Sequence, residues 1–330
     1  MMNEFYELKP GETLRNVLMY NSDTVLLTDL GKKRNYFCGE IFRTNISVSH
    51  FGCKNISNAE LTIRLMTGGK VINISRTKIG NIQQGGVSSL VEFEATLPTT
   101  EKPVSLKLYV TLDGDGVFVE NEWEIYAFPK LEKIQQNKLV VCDSITQTDL
   151  ISHLENGKDV LLLGSEPFAS TETSFRIALA GRTSGNLATV IADHPAIDKL
   201  PHEGFCGWQF SALLEGGRAV CFECDNVPFN PIIEVASTHK YVVKQAAMFE
   251  FAAINGRLLV CSFNFDSNDP ASLWLKSNLV DYIKSDSFSP VDSINKDQLI
   301  ALMNVGIKKT AANTNLAFNQ NEKTSTRKKK

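Results

Sequence analysis

An excess of charge of one sign is missing: 34 Lys and Arg stand against 37 Asp and Glu, a formal net charge of −3. Without a general basic field, neither nucleic acid nor an anionic membrane is expected as a partner. Long apolar runs are missing too. None approaches the ~20 residues a membrane span needs, and the opening MMNEFYELKPGETLRN has neither the basic nor the apolar region of a secretory leader. A cytoplasmic protein is the expectation. The seven cysteines (Cys38, Cys53, Cys142, Cys206, Cys221, Cys224, Cys261) are odd in number, irregularly spaced and set among apolar neighbours. That is unlike a secreted disulfide framework, so reduced residues are expected. Asn-Ile-Ser triplets at Asn45, Asn55 and Asn73 would accept glycans only in a secretory protein.

The motifs of several chemistries are also missing. No G-x-S-x-G pentapeptide marks a nucleophile elbow. Cys221 and Cys224 form a single C-x-x-C without a second pair, so no metal site is expected, and the motif does not open a helix that would activate a thiol. The two glycines of Gly181-Arg-Thr-Ser-Gly185 lack both the dinucleotide fingerprint and the phosphate-binding lysine, and read as a turn. No cofactor is expected. Glycosidic hydrolysis needs two opposed carboxyl groups. Glu120, Glu122 and Glu124 share one strand face beside Trp123, and Asp113 and Asp115 sit in a turn, which reads as a wet strand face and a loop. A (β/α)₈ barrel takes ~250 residues, more than the α/β half of this chain can supply.

What is there is two grammars in succession. A length of 330 residues suggests two domains. Residues 1–130 alternate with period two: in EIFRTNISVSHF, Phe42, Thr44, Ile46, Val48 and His50 face one side, while Ile41, Arg43, Asn45, Ser47 and Ser49 face the other. Turns at Thr67-Gly68-Gly69 and Asp113-Gly114-Asp115-Gly116 punctuate the strands, and the spacing fits an immunoglobulin-like β-sandwich. A polar linker, 131–138, follows. From 139 to 290, LVVC, a helix capped by Thr146 or Thr148 and stopped by Gly157, and DVLLLGS form a βαβ unit. Asn255-Gly256 between apolar runs predicts a hairpin, so the α/β sheet is expected to be mixed. Asp269 and Pro270 open a helix expected to close the domain near Phe288. Residues 291–330, ending in RKKK, are expected to be a mostly disordered basic tail, with a short helix at KDQLIALMN.

The most unusual segment is residues 193–210, DHPAIDKLPHEGFCGWQF, which gathers His194, His202, Glu203, Trp208 and Gln209 among prolines and glycines. An aromatic face beside hydrogen-bonding side chains suits a sugar. The same residues would equally make a rigid loop in which Phe205 and Trp208 are core anchors. With Ser165, Glu166 and Asp225 at the C-terminal ends of strands, His202, Glu203, Trp208 and Gln209 form the candidate carbohydrate cleft.

This segment, with AAMFEFAAINGRLLVCSFNFDSNDPASLWLKSNLVDYIKSDSF, resembles the C-terminal α/β domain of long family 2 glycoside hydrolases, which are β-galactosidase-like or β-glucuronidase-like. GEIFRTNISVSHFGCKNISNAELTIRLMTGGKVI resembles the sandwich preceding it, and NEWEIYAFP stands where those proteins carry N-x-W-x-x-W/Y-x-x-P. The likeness covers residues 10–290. It implies an immunoglobulin-like sandwich, then a flavodoxin-like domain of the class I glutamine-amidotransferase type without that family's triad. In those enzymes the catalytic barrel lies upstream, so the resemblance implies a non-catalytic C-terminal portion or accessory subunit. Its partners would be a barrel-bearing hydrolase chain and a saccharide. The alternatives are a free-standing carbohydrate-binding protein and, last, an amidotransferase-like enzyme using Cys221 or Cys206 with His202 and Glu203.

Overall fold

Alternating burial shapes the N-terminal part of the chain. The computed structural model describes residues 7–130, 139–175, 188–236 and 243–305. The chain divides into two units, Met1–Lys130 and Leu131–Lys330; the expected linker at 131–138 and the turn at Gly181–Gly185 lie outside the described residues.

In the first unit Thr13 caps a short helix, α1 (Leu14–Leu18). Eight strands follow: β1 (Thr24–Thr28), β2 (Asn35–Phe37), β3 (Ile41–His50), β4 (Ile56–Thr67), β5 (Lys70–Ile82), β6 (Gly86–Thr96), β7 (Val104–Gly114) and β8 (Val117–Phe128). They make a three-stranded sheet, β1-β3-β6, and a five-stranded sheet, β2-β8-β7-β4-β5. All neighbours are antiparallel except β2 and β8. Phe42, Ile46 and Val48 of β3 and Phe93 and Ala95 of β6 share one core with Leu61, Ile63 and Leu65 of β4 and Leu106, Leu108 and Val110 of β7. The two sheets therefore close on each other through their apolar faces, which removes those side chains from water at roughly 25 cal/mol per Å² of apolar area. Glycine is required where β4 turns into β5: Gly68 and Gly69 have φ of +52° and +78°, the left-handed pair that a two-residue hairpin turn uses.

Two side-chain clamps fix this unit. Asp29, just past β1, accepts from the side-chain amide of Asn45 at 2.7 Å, its backbone N–H at 2.9 Å and the Thr44 hydroxyl at 2.8 Å. The Asn45 amide first, then its N–H and Thr44, hold the Asp29 carboxyl below the usual carboxylate range. Asn121 of β8 donates to the carbonyls of Met19 and Leu26 at 3.0 and 2.9 Å, tying α1 and β1 to the larger sheet.

The second unit begins with β9 (Val140–Cys142), α2 (Gln147–Glu155) and β10 (Asp159–Leu162). Thr146 caps α2 through Asp149 N–H, and β9 and β10 pair in parallel. Then come β11 (Ser170–Glu172), β12 (Ala188–Ile191), a 3₁₀ turn (Trp208–Phe210), α3 (Ser211–Leu214), β13 (Arg218–Cys221), β14 (Ile233–Ala236), β15 (Gln245–Ala253), β16 (Gly256–Cys261) and α4 (Pro270–Lys284). The sheet follows β11-β13-β15-β16-β10-β9, with β14 also pairing β15 and β12 pairing β14. It is mixed: β9, β10 and β16 run parallel, while β15 is antiparallel to β13, β14 and β16. Leu150 and Leu154 of α2 share a core with Val160, Leu162, Phe249, Phe251, Leu258 and Val260. Among the described residues no helix is long and apolar enough to cross a membrane. Taken together, the chain is β-rich, with antiparallel and mixed sheets and few helices.

Two expectations need correction. The short helix expected at KDQLIALMN is present, and it belongs to the second unit's core, which reaches past the boundary drawn at 290. β17 (Ser293–Ile294) pairs in parallel with β15. α5 (Lys296–Met303) follows, with a capping box between Asn295 and Gln298, and buries Leu299, Leu302 and Met303 in the second unit's core. A spacing of three with a reciprocal cap is enough to make a helix here. Residues 306–330 lie outside the described residues.

The β15–β16 hairpin is present, but Asn255-Gly256 is not its pair of central residues. Ala253 faces Gly256 across the strands, so Ile254 and Asn255 make the turn, and Ile254 has φ of +60°. A β-branched residue rarely adopts that conformation. Here Ile254 packs against the core, and the Asn255 amide donates to the Glu155 carbonyl at 3.0 Å. Gly256 is needed for close approach instead, since a Cβ there would stand 2.2 Å from the Lys158 carbonyl oxygen.

Gly256→Ala should therefore cost about 2 kcal/mol or more, because the obstacle is backbone and cannot swing away; urea unfolding of the full chain measures it. Asp29→Asn should cost about 1 kcal/mol, a figure reduced for the site's exposure. The Asp29 contribution is full above the pKa of the unfolded chain and is lost as pH falls through the lower folded value. The deficit of the variant should accordingly shrink in acid melts below about pH 4.

Candidate functional site

Glu250 is the charged group around which the 193–210 segment is arranged. It stands on β15 with a side chain only 10% exposed, and a carboxyl so enclosed needs partners. Tyr282 of α4 supplies one, its hydroxyl donating to Glu250 at 2.9 Å. Burial first, then the adjacent carboxylate, pushes the Tyr282 phenol well above its ordinary value, so it remains a donor. His194 supplies the second, with Nε2 at 3.5 Å from Glu250. Its Nδ1 accepts from Ala196 N–H at 3.3 Å, which places the neutral ring's proton on Nε2, facing the carboxylate.

From this anchor the segment is tied down along its length. The Asn278 amide of α4 donates to the Ala196 carbonyl at 2.8 Å. Ile191 N–H donates to the Gly204 carbonyl at 2.8 Å, and Cys206 N–H to the Thr189 hydroxyl at 2.9 Å. His202 accepts from Gly204 N–H at 3.1 Å through Nδ1. Behind it, Gln209 is buried and its amide donates to the Pro201 carbonyl.

The clamped loop displays two aromatic side chains. Phe205 is 49% and Trp208 37% exposed, with Trp208 tilted at 49° against Phe175 at 4.9 Å between ring centroids. Neither Phe205 nor Trp208 is the enclosed core anchor that the rigid-loop alternative had in mind. Glu203 is exposed and His202 half-buried beside them. His202, Glu203 and Trp208 each keep accessible surface on one restrained loop. Gln209 does not belong to that surface: it was expected at the cleft, and it works from behind as a brace. Glu166, preceding a cis Pro167, and Asp225 are exposed on other turns, after β10 and after β13. The residues missed in the sequence are Glu250, Tyr282 and Asn278, which lie 40 to 90 positions away in chain order; a lone Glu in the apolar AAMFEFAA was the available clue.

The thiols of the amidotransferase alternative are poorly placed for nucleophilic work. Cys206 is buried, and burial pushes its thiol up to about 12. The Cys221 thiol is likewise raised by burial, and its Sγ receives the Gln245 amide at 3.4 Å. A nucleophilic thiolate needs the opposite shift. The thiols of Cys221 and Cys224 both lie above their ordinary value for the same reason, and among the described residues no three His, Cys, Asp or Glu side chains gather as metal ligands. The Glu120, Glu122 and Glu124 face is engaged with α1 and with strand neighbours: Glu120 with Arg15 and Tyr109, Glu122 with Arg15 and Lys107, Glu124 with Tyr126.

A β-rich chain of two units with a braced aromatic loop is what fold and site define. The chain belongs to the family described as Domain of unknown function (DUF8487), whose model matches residues 140–304. Residues 40–129 match a second model, Domain of unknown function (DUF8488). No curated protein matches. Among solved structures, a family 123 glycoside hydrolase from Clostridium perfringens is 11% identical, covering 41% of this chain and 34% of its own, with a TM-score of 0.24. A β-glucuronidase of glycoside hydrolase family 2 is 14% identical over 31% of this chain and 11% of its own, TM-score 0.23. A superoxide reductase (neelaredoxin) from Ignicoccus hospitalis is 15% identical over 32% of this chain and 80% of its own, TM-score 0.20. The chain thus spans about a tenth of one hydrolase and a third of the other. These likenesses carry no functional weight.

Exposed Cys53 should react first with a disulfide reagent at mildly alkaline pH, while buried Cys206, Cys221 and Cys261 stay unmodified until denaturant is added. Rapid native modification of Cys221 or Cys206 would restore the thiol-enzyme alternative.

Proposed function

We propose that this chain is a non-catalytic, carbohydrate-associated module, either the C-terminal portion of a family 2-like glycoside hydrolase or an accessory subunit to one. In this reading the first unit is an immunoglobulin-like sandwich and the second an amidotransferase-like α/β domain, with the linker at 131–138. The observation that carries the proposal is the restrained loop with Phe205 and Trp208 exposed beside His202 and Glu203. The aromatic ring faces would meet the C–H face of a pyranose, and the imidazole and carboxylate would take its hydroxyls. A loop already fixed by Glu250, Asn278 and Gln209 loses little further freedom on binding. The sequence resemblance supports the choice of partner chemistry, and the raised thiols favour binding over nucleophilic turnover.

Calorimetric titration with mono- and oligosaccharides tests it. Saccharide binding should weaken by about 10-fold or more in Trp208→Ala, with no hydrolysis of aryl glycosides by the isolated chain. Affinity unchanged in both Trp208→Ala and Phe205→Ala would overturn the assigned surface. Recovery of a barrel-bearing hydrolase with the native protein from lysate would favour the accessory role over a free-standing sugar binder.

A further inference from the structure

The longest strand of the first unit is also an edge. β5 runs for 13 residues, KVINISRTKIGNI, without proline, and it ends the five-stranded sheet beside β4. Among the described residues no strand pairs with its other side, so the N–H and C=O groups that point outward form an unpaired row. What completes such a row is extended polypeptide, because a backbone repeats donors and acceptors at strand spacing.

The side chains select the kind of polypeptide. Asn73, Ser75 and Thr77 stand opposite Leu65, Ile63 and Leu61 of the core, so Ile74, Arg76 and Lys78 take the outer face. Ile74 is 49% exposed, and Arg76 and Lys78 are exposed beside it. β5 carries three cations, Lys70, Arg76 and Lys78, and no carboxylate. Among the described residues none of the three forms an ion pair, although Glu60 of β4 stands opposite Lys78 with Asp113 of β7 behind it. Arg64, opposite Ile74, adds a fourth positive charge over the Tyr109 ring at 5.8 Å. Farther across the sheet, Glu120 and Glu122 are already engaged by Arg15 and Lys107. A second copy of β5 would bring only more positive charge. In β6 of a second copy, Glu94 is already held by Arg43 at 2.6 Å.

We propose that β5 accepts an added strand from an acidic, extended segment of a partner protein. Period-two geometry sets its pattern: two carboxylates, two residues apart, meet Arg76 and Lys78, and an apolar residue two further along covers Ile74. Backbone pairing supplies the affinity and the alternate side chains the selectivity. The inference concerns the first unit only and does not depend on the carbohydrate reading.

Fluorescence anisotropy of the full chain with a rhodamine-labelled peptide, Thr-Val-Thr-Glu-Thr-Glu-Thr-Val-Thr, tests it. Saturable binding is expected, weakened about 10-fold or more in the Arg76→Glu, Lys78→Glu double variant. If that variant fails to fold, Arg76→Gln with Lys78→Gln should weaken binding in the same direction. The same peptide N-methylated along its backbone should not bind, because it cannot pair with a strand edge. No binding of the unmodified peptide up to about 1 mM would overturn the proposal. So would equal binding of the N-methylated peptide or of single-stranded DNA, which would reduce the edge to a positive patch. Self-association of the wild-type chain that Arg76→Glu abolishes would overturn it in favour of a second copy.

Discussion

A single enclosed carboxyl sets much of the second unit's surface. Glu250 lies on a strand whose neighbouring side chains are nearly all apolar, where leaving it unpartnered would cost several kcal/mol. Tyr282 and His194 meet that requirement from α4 and from the long loop. The stability of an ordinary buried polar group thus becomes a positional constraint on a loop that, by composition alone, had every freedom to wander. The exposed aromatics sit farther along the loop, where Cys206 N–H bonds Thr189 and Gln209 bonds Pro201. They can face water because the hydrogen bonds that hold the loop lie beneath them and do not depend on burying the rings.

Where local pattern determines structure, the sequence was readable. The alternation in Ile41–His50 appears as alternating burial, Thr146 and Asp269 cap the helices they precede, and glycines mark the β4–β5 turn. Where a residue's reason lies across the sheet, it was not. Gly256 looks like a turn glycine and is in fact a spacer against Lys158. Gln209 looks like a ligand group and is a brace for Pro201. The last helix was readable as a short apolar period, but its membership in the core was not, because that depends on β17 finding an edge of β15 some 40 residues upstream.

The two units solve their polar problems differently. In the first, charges pair across neighbouring strands and from α1 to β8, at the surface, where each pair is worth little. In the second, one partly buried pair lies on the sheet itself. Asp159 holds Arg257 through two hydrogen bonds of 2.9 and 2.6 Å on adjacent parallel strands, and the guanidinium lies over the Phe288 ring at 4.5 Å. A network of that kind registers β10 against β16 and fixes where the chain passes after α4.

The parallel pairing of β17 with β15 also orders events in time. During synthesis the first unit has all its strands once Phe128 has emerged, and it can fold while the rest of the chain is still being made. The second unit must hold an unfinished core, with β15 lacking its β17 neighbour and α2 lacking α5 beside it in the core, until the chain has been extended past Met303. Its apolar surface is then exposed to other chains for the whole of that interval, so the aggregation risk of this protein falls on its later half and on the speed with which the last turn of helix arrives.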